Sequence, residues 1–158
     1  MILETTEPMV ITIDPGKVTG MARYFPLRGL ESYHSWEELG GLGGFADAWR
    51  ISHPDYDNPD VTIVIEKYTI GAKNRAIRED YNAVYINGFV LGLSRWTEWN
   101  VIQNQVSGAK TFATDEKLKA LGWYNPTPGG HSNDAGRHML THAAKQPWGQ
   151  PILRRLAT

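Results

Sequence analysis

The stretch V-T-I-V-I-E, residues 61–66, constrains this chain more than any other. Five successive β-branched side chains favour an extended backbone, and the lack of polar alternation marks a strand covered on both faces. Such a strand is central and parallel to a neighbour, so the chain must also supply crossover helices to lie against the sheet. The strand closes on a carboxylate, Glu66.

The remaining segments supply the partners. Residues 8–15 and 18–25 read as two strands joined by the turn at Pro15-Gly16, and a third short strand near Glu31 to His34 completes a meander. Residues 37–51 begin glycine-rich and become helical in spacing, with Phe45, Ala48 and Trp49 on one side. D-N-P-D at 57–60 breaks the chain before the central strand. Between Ala76 and Trp99 the residues Ile77, Tyr81, Val84, Tyr85, Leu91 and Trp96 recur at helical spacing and predict a long helix, followed by a strand over Val101 to Gln103. A short helix capped by Thr114 and the loop Y-N-P-T-P-G-G come next, and a final helix runs from about Ser132 towards Lys145 until Pro147 stops it. No repeat, low-complexity segment or dividing linker interrupts residues 1–158. The expectation is one α/β domain with a five-stranded mixed sheet and helices on both faces.

Composition narrows the chemistry. There is no cysteine, which excludes disulfides, thiolate catalysis and thiolate zinc sites, so any metal must sit on oxygen or imidazole. The formal net charge of −1 gives no global attraction to a polyanion, so nucleic-acid binding would rest on local basic patches. No segment has the length of an apolar membrane span, and the N-terminal residues lack a signal-peptide pattern, which together predict an intracellular protein.

Two strand-end carboxylates stand out. Asp14 lies in I-D-P-G, where an aspartate ordinarily bonds the backbone of its own turn, and Glu66 could simply mark a strand reaching solvent. If their strands are adjacent and parallel, both carboxylates meet at the carboxyl edge of the sheet and repel unless a cation lies between them. The final helix opens with H-S-N-D-A-G-R-H, placing His131, Asp134 and His138 on one face near its N-terminus, in the side-chain chemistry of a metal site. Ser132 or Asn133 as a cap, Asp134 against the helix dipole, and His138 or His142 in packing are the plainer readings. Packing is preferred for His142, whereas His131 and Asp134 join Asp14 and Glu66 as candidate ligands.

In order and spacing, I-D-P-G-K-V-T-G, T-I-V-I-E and H-S-N-D-A-G-R-H resemble the three motif blocks of the RuvC-like Holliday junction resolvases, within the ribonuclease H-like superfamily. G-A-K-N at 71–74 resembles the start of that family's long helix, and R-H after the last block looks closest to phage-encoded members. The resemblance implies a metal-dependent endonuclease that nicks four-way DNA junctions symmetrically, leaving 5′-phosphate and 3′-hydroxyl ends. It implies two Mg²⁺ or Mn²⁺ ions per site, bridged by Asp14, with Glu66 on one side and His131 with Asp134 on the other. His131 could instead act as general acid or base. Imidazole at a ligand position favours Mn²⁺ at least as much as Mg²⁺. The family works as a twofold homodimer, and Tyr85, Phe89 and Trp96 on the long helix are the candidate interface. A cytoplasmic setting, in a bacterium or a phage-infected host, follows from the same resemblance.

The basic residues cluster near the motifs. Lys17, Lys73, Arg75, Arg78, Lys110, Lys117 and Arg137 form a candidate phosphate track, with Lys119 close by, and Tyr68 is a candidate for stacking on an unpaired base. Thr69 and Ser107 stand where the resolvases tend to carry an aromatic and a lysine, so branched DNA of other kinds, forks or flaps, is the wider substrate class. Two rival readings start from the same motif. I-D-P-G-x-x-x-G also resembles the first phosphate loop of actin-like ATPases and sugar kinases, but no second D-x-G motif follows. A catalytically silent DNA-binding module is the other, and carboxylates facing phosphate would weaken it.

Overall fold

A computed structural model describes residues 6–52, 57–68, 81–104 and 108–158, apart from the side chains at 37, 38 and 52. Strands β1 (Met9–Asp14), β2 (Val18–Tyr24) and β3 (His34–Gly40) form an antiparallel meander, followed by helix α1 (Gly41–Ser52). Strand β4 (Val61–Glu66), helix α2 (Tyr81–Thr97) and strand β5 (Asn100–Asn104) come next, then α3 (Ala109–Phe112), α4 (Asp115–Leu121), α5 (His131–Ala143) and α6 (Gln150–Leu156). The described strands make one five-stranded sheet in the order β3-β2-β1-β4-β5, with β1, β4 and β5 parallel to one another.

The β-branched run behaves as its composition demands. Val61, Ile63 and Ile65 point to one face, where they pack with Ile11 and Ile13 against Phe45 and Trp49 of α1 and Ile86 and Val90 of α2. On the opposite face Val64 joins Val10 and Tyr24 beneath Leu118 and Leu121 of α4, Met139 and Leu140 of α5, and Ile152 of α6. The mixed sheet with helices on both faces is therefore as expected.

Three local expectations are corrected. The third strand begins at His34, not Glu31, because Leu30–Ser32 forms a 3-10 turn locked by the Ser32 hydroxyl. That hydroxyl donates to the carbonyls of Phe25 and Gly29 and accepts from the Phe25 amide. On α2 the buried stripe is Ala83, Ile86, Asn87 and Val90, whereas Tyr81, Tyr85, Leu91 and Trp96 are exposed, Trp96 at 89%. Close packing of α2 on the sheet selects small and medium side chains and leaves the large rings outside. Finally, α5 is not the last helix, since Pro147 starts a 3-10 turn that leads directly into α6.

Helix α5 is the element that completes the site, and its docking explains the last glycine of I-D-P-G-x-x-x-G. A Cβ on Gly20 would lie 1.8 Å from the carbonyl oxygen of His131, so only a bare backbone lets the helix start against β2. One strand over, the Thr12 hydroxyl donates to the Ala135 carbonyl at 2.7 Å.

Candidate metal centre

The Asp14 carboxylate is not used by its own turn. The Gly16 amide, which an aspartate two residues earlier would ordinarily bind, donates instead to Thr19 Oγ1 at 3.2 Å, and that hydroxyl donates to the Gly16 carbonyl. Thr19 thus closes the turn, and Asp14, only 9% exposed, faces the cleft with its Oδ2 2.9 Å from His131 Nδ1.

Glu66 arrives beside it by register. Ile13 of β1 pairs with Ile65 of β4 in parallel, so the following residues, Asp14 and Glu66, leave the same edge on adjacent strands. Asn87, buried on α2, steadies this strand end by donating from Nδ2 to the Glu66 carbonyl at 3.3 Å, while its Oδ1 accepts from Gln103 on β5. An asparagine within an apolar helical pattern is the available clue to this strut; sequence reasoning passes over it.

The face of α5 supplies the rest. His131 and Asp134 line the cleft with Asp14 and Glu66, as the sequence predicts, and so does His138. Left open between ligand and packing by the sequence, His138 is buried and directs its Nε2 to within 3.6 Å of Glu66 Oε2. The four-residue step from Asp134 puts it one helical turn deeper, opposite the end of β4. His142, one turn further, is buried and packs near Trp148, and burial lowers its pKa, in keeping with a packing role.

The cleft, of about 200 Å³, concentrates negative charge. Burial pushes the Asp14 carboxyl up to about 6; the hydrogen bond from His131 opposes this, and the neighbouring Glu66 and Asp134 reinforce it. Burial acts on Glu66 in the same sense, but the His138 imidazole and the Asp14 carboxyl beside it outweigh burial and hold Glu66 below the ordinary carboxylate value. Of the two carboxylates, Asp14 is therefore the one that takes up a proton first as pH falls through about 6.

The donor set fits divalent metal. Asp14, His131 and Asp134 present ligand atoms within 4.8 Å of one another, and so do Asp14, Glu66 and His138, with Asp14 common to both triads. Asp134 is also held from outside. Lys110 Nζ lies 3.1 Å from its Oδ2, and Arg137 donates to its Oδ1 while its other nitrogen bonds Asp115 of α4.

The backbone that carries this geometry has a counterpart among solved structures. T. thermophilus RuvC in complex with Holliday junction substrate superposes with a TM-score of 0.55 at 15% identity, covering 86% of this chain and 92% of that one. The fold is RuvC-like. At that identity the likeness is one of backbone architecture: no protein-family model matches the chain, and no curated protein matches it significantly.

On this RuvC-like frame the residues proposed for DNA fall into distinct groups. Lys17 is exposed in the β1–β2 turn, and Lys110 is exposed at the cleft. Tyr68 is half-buried two residues beyond Glu66. Lys117 is committed locally, donating to the Phe112 carbonyl at 2.7 Å with its ammonium over that ring. Arg137 is largely buried, at 16% side-chain exposure, and engaged by two carboxylates. Lys73, Arg75 and Arg78, with Thr69 and Ser107, lie outside the described residues. Among the described residues, no helix is long and apolar enough to cross a membrane.

Proposed function

We propose that this protein is a metal-dependent endonuclease for branched DNA, with the four-way junction as its principal substrate. The observation that carries the reading is the convergence of Asp14, Glu66, His131 and Asp134 in one cleft at the carboxyl edge of parallel strands, on a RuvC-like frame. Divalent ions bound there would activate a water for in-line attack on phosphorus and neutralise charge on the departing 3′ oxygen, giving 5′-phosphate and 3′-hydroxyl ends. Asp14 shares its carboxylate between the two triads, Glu66 stands on one side, and Asp134 with the His131 imidazole stands on the other. Lys110 and Lys17 meet the phosphates, while Arg137 fixes the Asp134 rotamer. Mg²⁺ or Mn²⁺ serves, with Mn²⁺ at least as effective because imidazole is among the donors.

The test incubates labelled four-way junction, fork, flap and linear duplex with the protein and Mn²⁺, Mg²⁺ or EDTA. Paired symmetric nicks in the junction, abolished by EDTA, are expected. Preferential cutting of forks or flaps would move the substrate within the branched class, and binding without cutting under either metal would leave a DNA-binding module.

Symmetric nicking needs two equivalent sites, and a twofold homodimer supplies them. Tyr81, Tyr85, Phe89 and Trp96 give α2 an exposed aromatic surface suited to a second copy, and a Cβ on Gly88 or Gly92 between them would meet nothing within 4 Å. Replacing Tyr85 and Trp96 together by glutamate is expected to convert a dimer to a monomer in sedimentation equilibrium. Junction cutting should then change from paired to single nicks. An unchanged sedimentation mass would place the interface elsewhere.

A further inference from the structure

Deepening the metal-dependent reading, on which it rests, we infer that His138 is itself a metal ligand, joining Asp14 and Glu66 as the third protein donor to one ion. His131, Asp14 and Asp134 are the three protein donors to the other. Each ion then takes two carboxylates and one imidazole, and the pair is matched to Mn²⁺ and similar borderline ions in preference to Mg²⁺.

Four observations converge on His138. Its ring is 4% exposed, and a buried imidazole needs a partner for its polar edge. Nε2 is directed at Glu66 Oε2 but stops at 3.6 Å, beyond a hydrogen bond and close to the roughly 3 Å that separates neighbouring donors on one six-coordinate ion. Its ligand atom falls within 4.8 Å of those of both Asp14 and Glu66. It also lines the same cleft as His131, one helical turn deeper. A residue serving only to fill the core beneath α5 would present carbon there, as Met139 and Leu140 do on the adjoining face.

The decisive measurement is made on the full chain without DNA. Metal-free protein is titrated with Mn²⁺ by calorimetry, and pulsed electron paramagnetic resonance reads ¹⁴N coupling from coordinated imidazole. Wild type, His131→Ala, His138→Asn and the double variant are compared. In His131→Ala, whose target is partly exposed, bound Mn²⁺ should retain imidazole coupling, and the double variant should lose it. His138→Asn should weaken one of two ions by about 10-fold or more while leaving the other. If His131→Ala binds Mn²⁺ without any imidazole coupling, His138 is not a ligand and the inference falls, with the nuclease reading intact. If wild type binds no Mn²⁺ at all, the metal-dependent reading falls and takes the inference with it.

Discussion

Asp14→Asn is expected to melt higher than the wild type at pH 7.5 in EDTA while losing at least ~10³-fold in junction cutting. The two effects have one cause. The Asp14 pKa is raised from 3.8 to about 6, chiefly by burial. Between those values the folded chain binds a proton that the unfolded chain releases, so stability falls as pH rises through the window. By pH 7.5 the loss has accrued fully and amounts to about 3 kcal/mol. Asparagine keeps the shape and an acceptor for His131 but carries no charge to bury. Its lost interaction with Glu66, which helps to hold that carboxyl low, offsets part of the gain. The expected net is about 1–2 kcal/mol, or roughly 3–6 °C for a chain of this size. The pH series is the check: the gap between variant and wild type should close as pH falls from 7 towards 4. A gap that widens instead would mean that the wild-type Asp14 carboxylate is stabilised, not strained, by its site.

Gly20→Ala is expected to be the most damaging single methyl addition near the site. Its Cβ would meet the His131 carbonyl oxygen at 1.8 Å and the carbonyl carbon at 2.2 Å, both backbone atoms with no rotamer to swing aside. Gly20 pairs with Asp14 on β1 and sits at the irregularity in the β2–β3 register, but its φ lies outside the left-handed region, so the alanine fits the backbone conformation and the effect is chiefly steric. Either β2 retreats or the start of α5 lifts, and a strain of about 3 kcal/mol follows. Lifting α5 moves His131 and Asp134 off Asp14, and a displacement near 1 Å lowers cutting by roughly 10²-fold. Thermal melts and Mn²⁺ titration should both register the change. Normal stability with normal Mn²⁺ affinity would show that α5 does not sit where the Gly20 contact places it. Alanine at Gly43, where a Cβ meets nothing within 4 Å, is the matched control for adding a methyl.

Much of this is legible in the residues because the strongest local signals agree with the global fold. Val61 to Ile65 can scarcely be anything but a buried strand, and its terminal Glu66 lands beside Asp14 because parallel register carries it there. His131 and Asp134 are readable because a helical step of three sets them on one face. The misreadings have physical causes. Tyr81, Tyr85 and Trp96 count as apolar in a periodicity, yet the sheet accepts Ala83, Ile86 and Asn87 instead, since the distance between helix and sheet is set by small residues. The polar letters of S-W-E-E conceal an edge strand, and the Ser32 hydroxyl, bonded to the Phe25 backbone and to Gly29 at the start of its own 3-10 turn, moves the strand's start to His34. His138 is on the right face but one turn too deep for sequence to tell a ligand from a packed ring. Thr19 looks like an ordinary strand residue and Gly20 like a motif glycine; their roles emerge only when α5 and the turn come together.

The converging side chains leave the chain at residues 14, 66 and 131–138, and this order has a consequence for synthesis. When β1 and β4 have paired, the carboxylates of Asp14 and Glu66 already face each other, but His138 of one triad and both His131 and Asp134 of the other are still untranslated. A polypeptide emerging at about 5–20 residues per second must therefore extend through residue 138 before both triads are complete. Until then the sheet edge holds Asp14 and Glu66 without their partners from α5. On the proposed reading, a chain still tethered to a ribosome and its message cannot yet cut nucleic acid, because its site closes only once α5 has docked on the sheet.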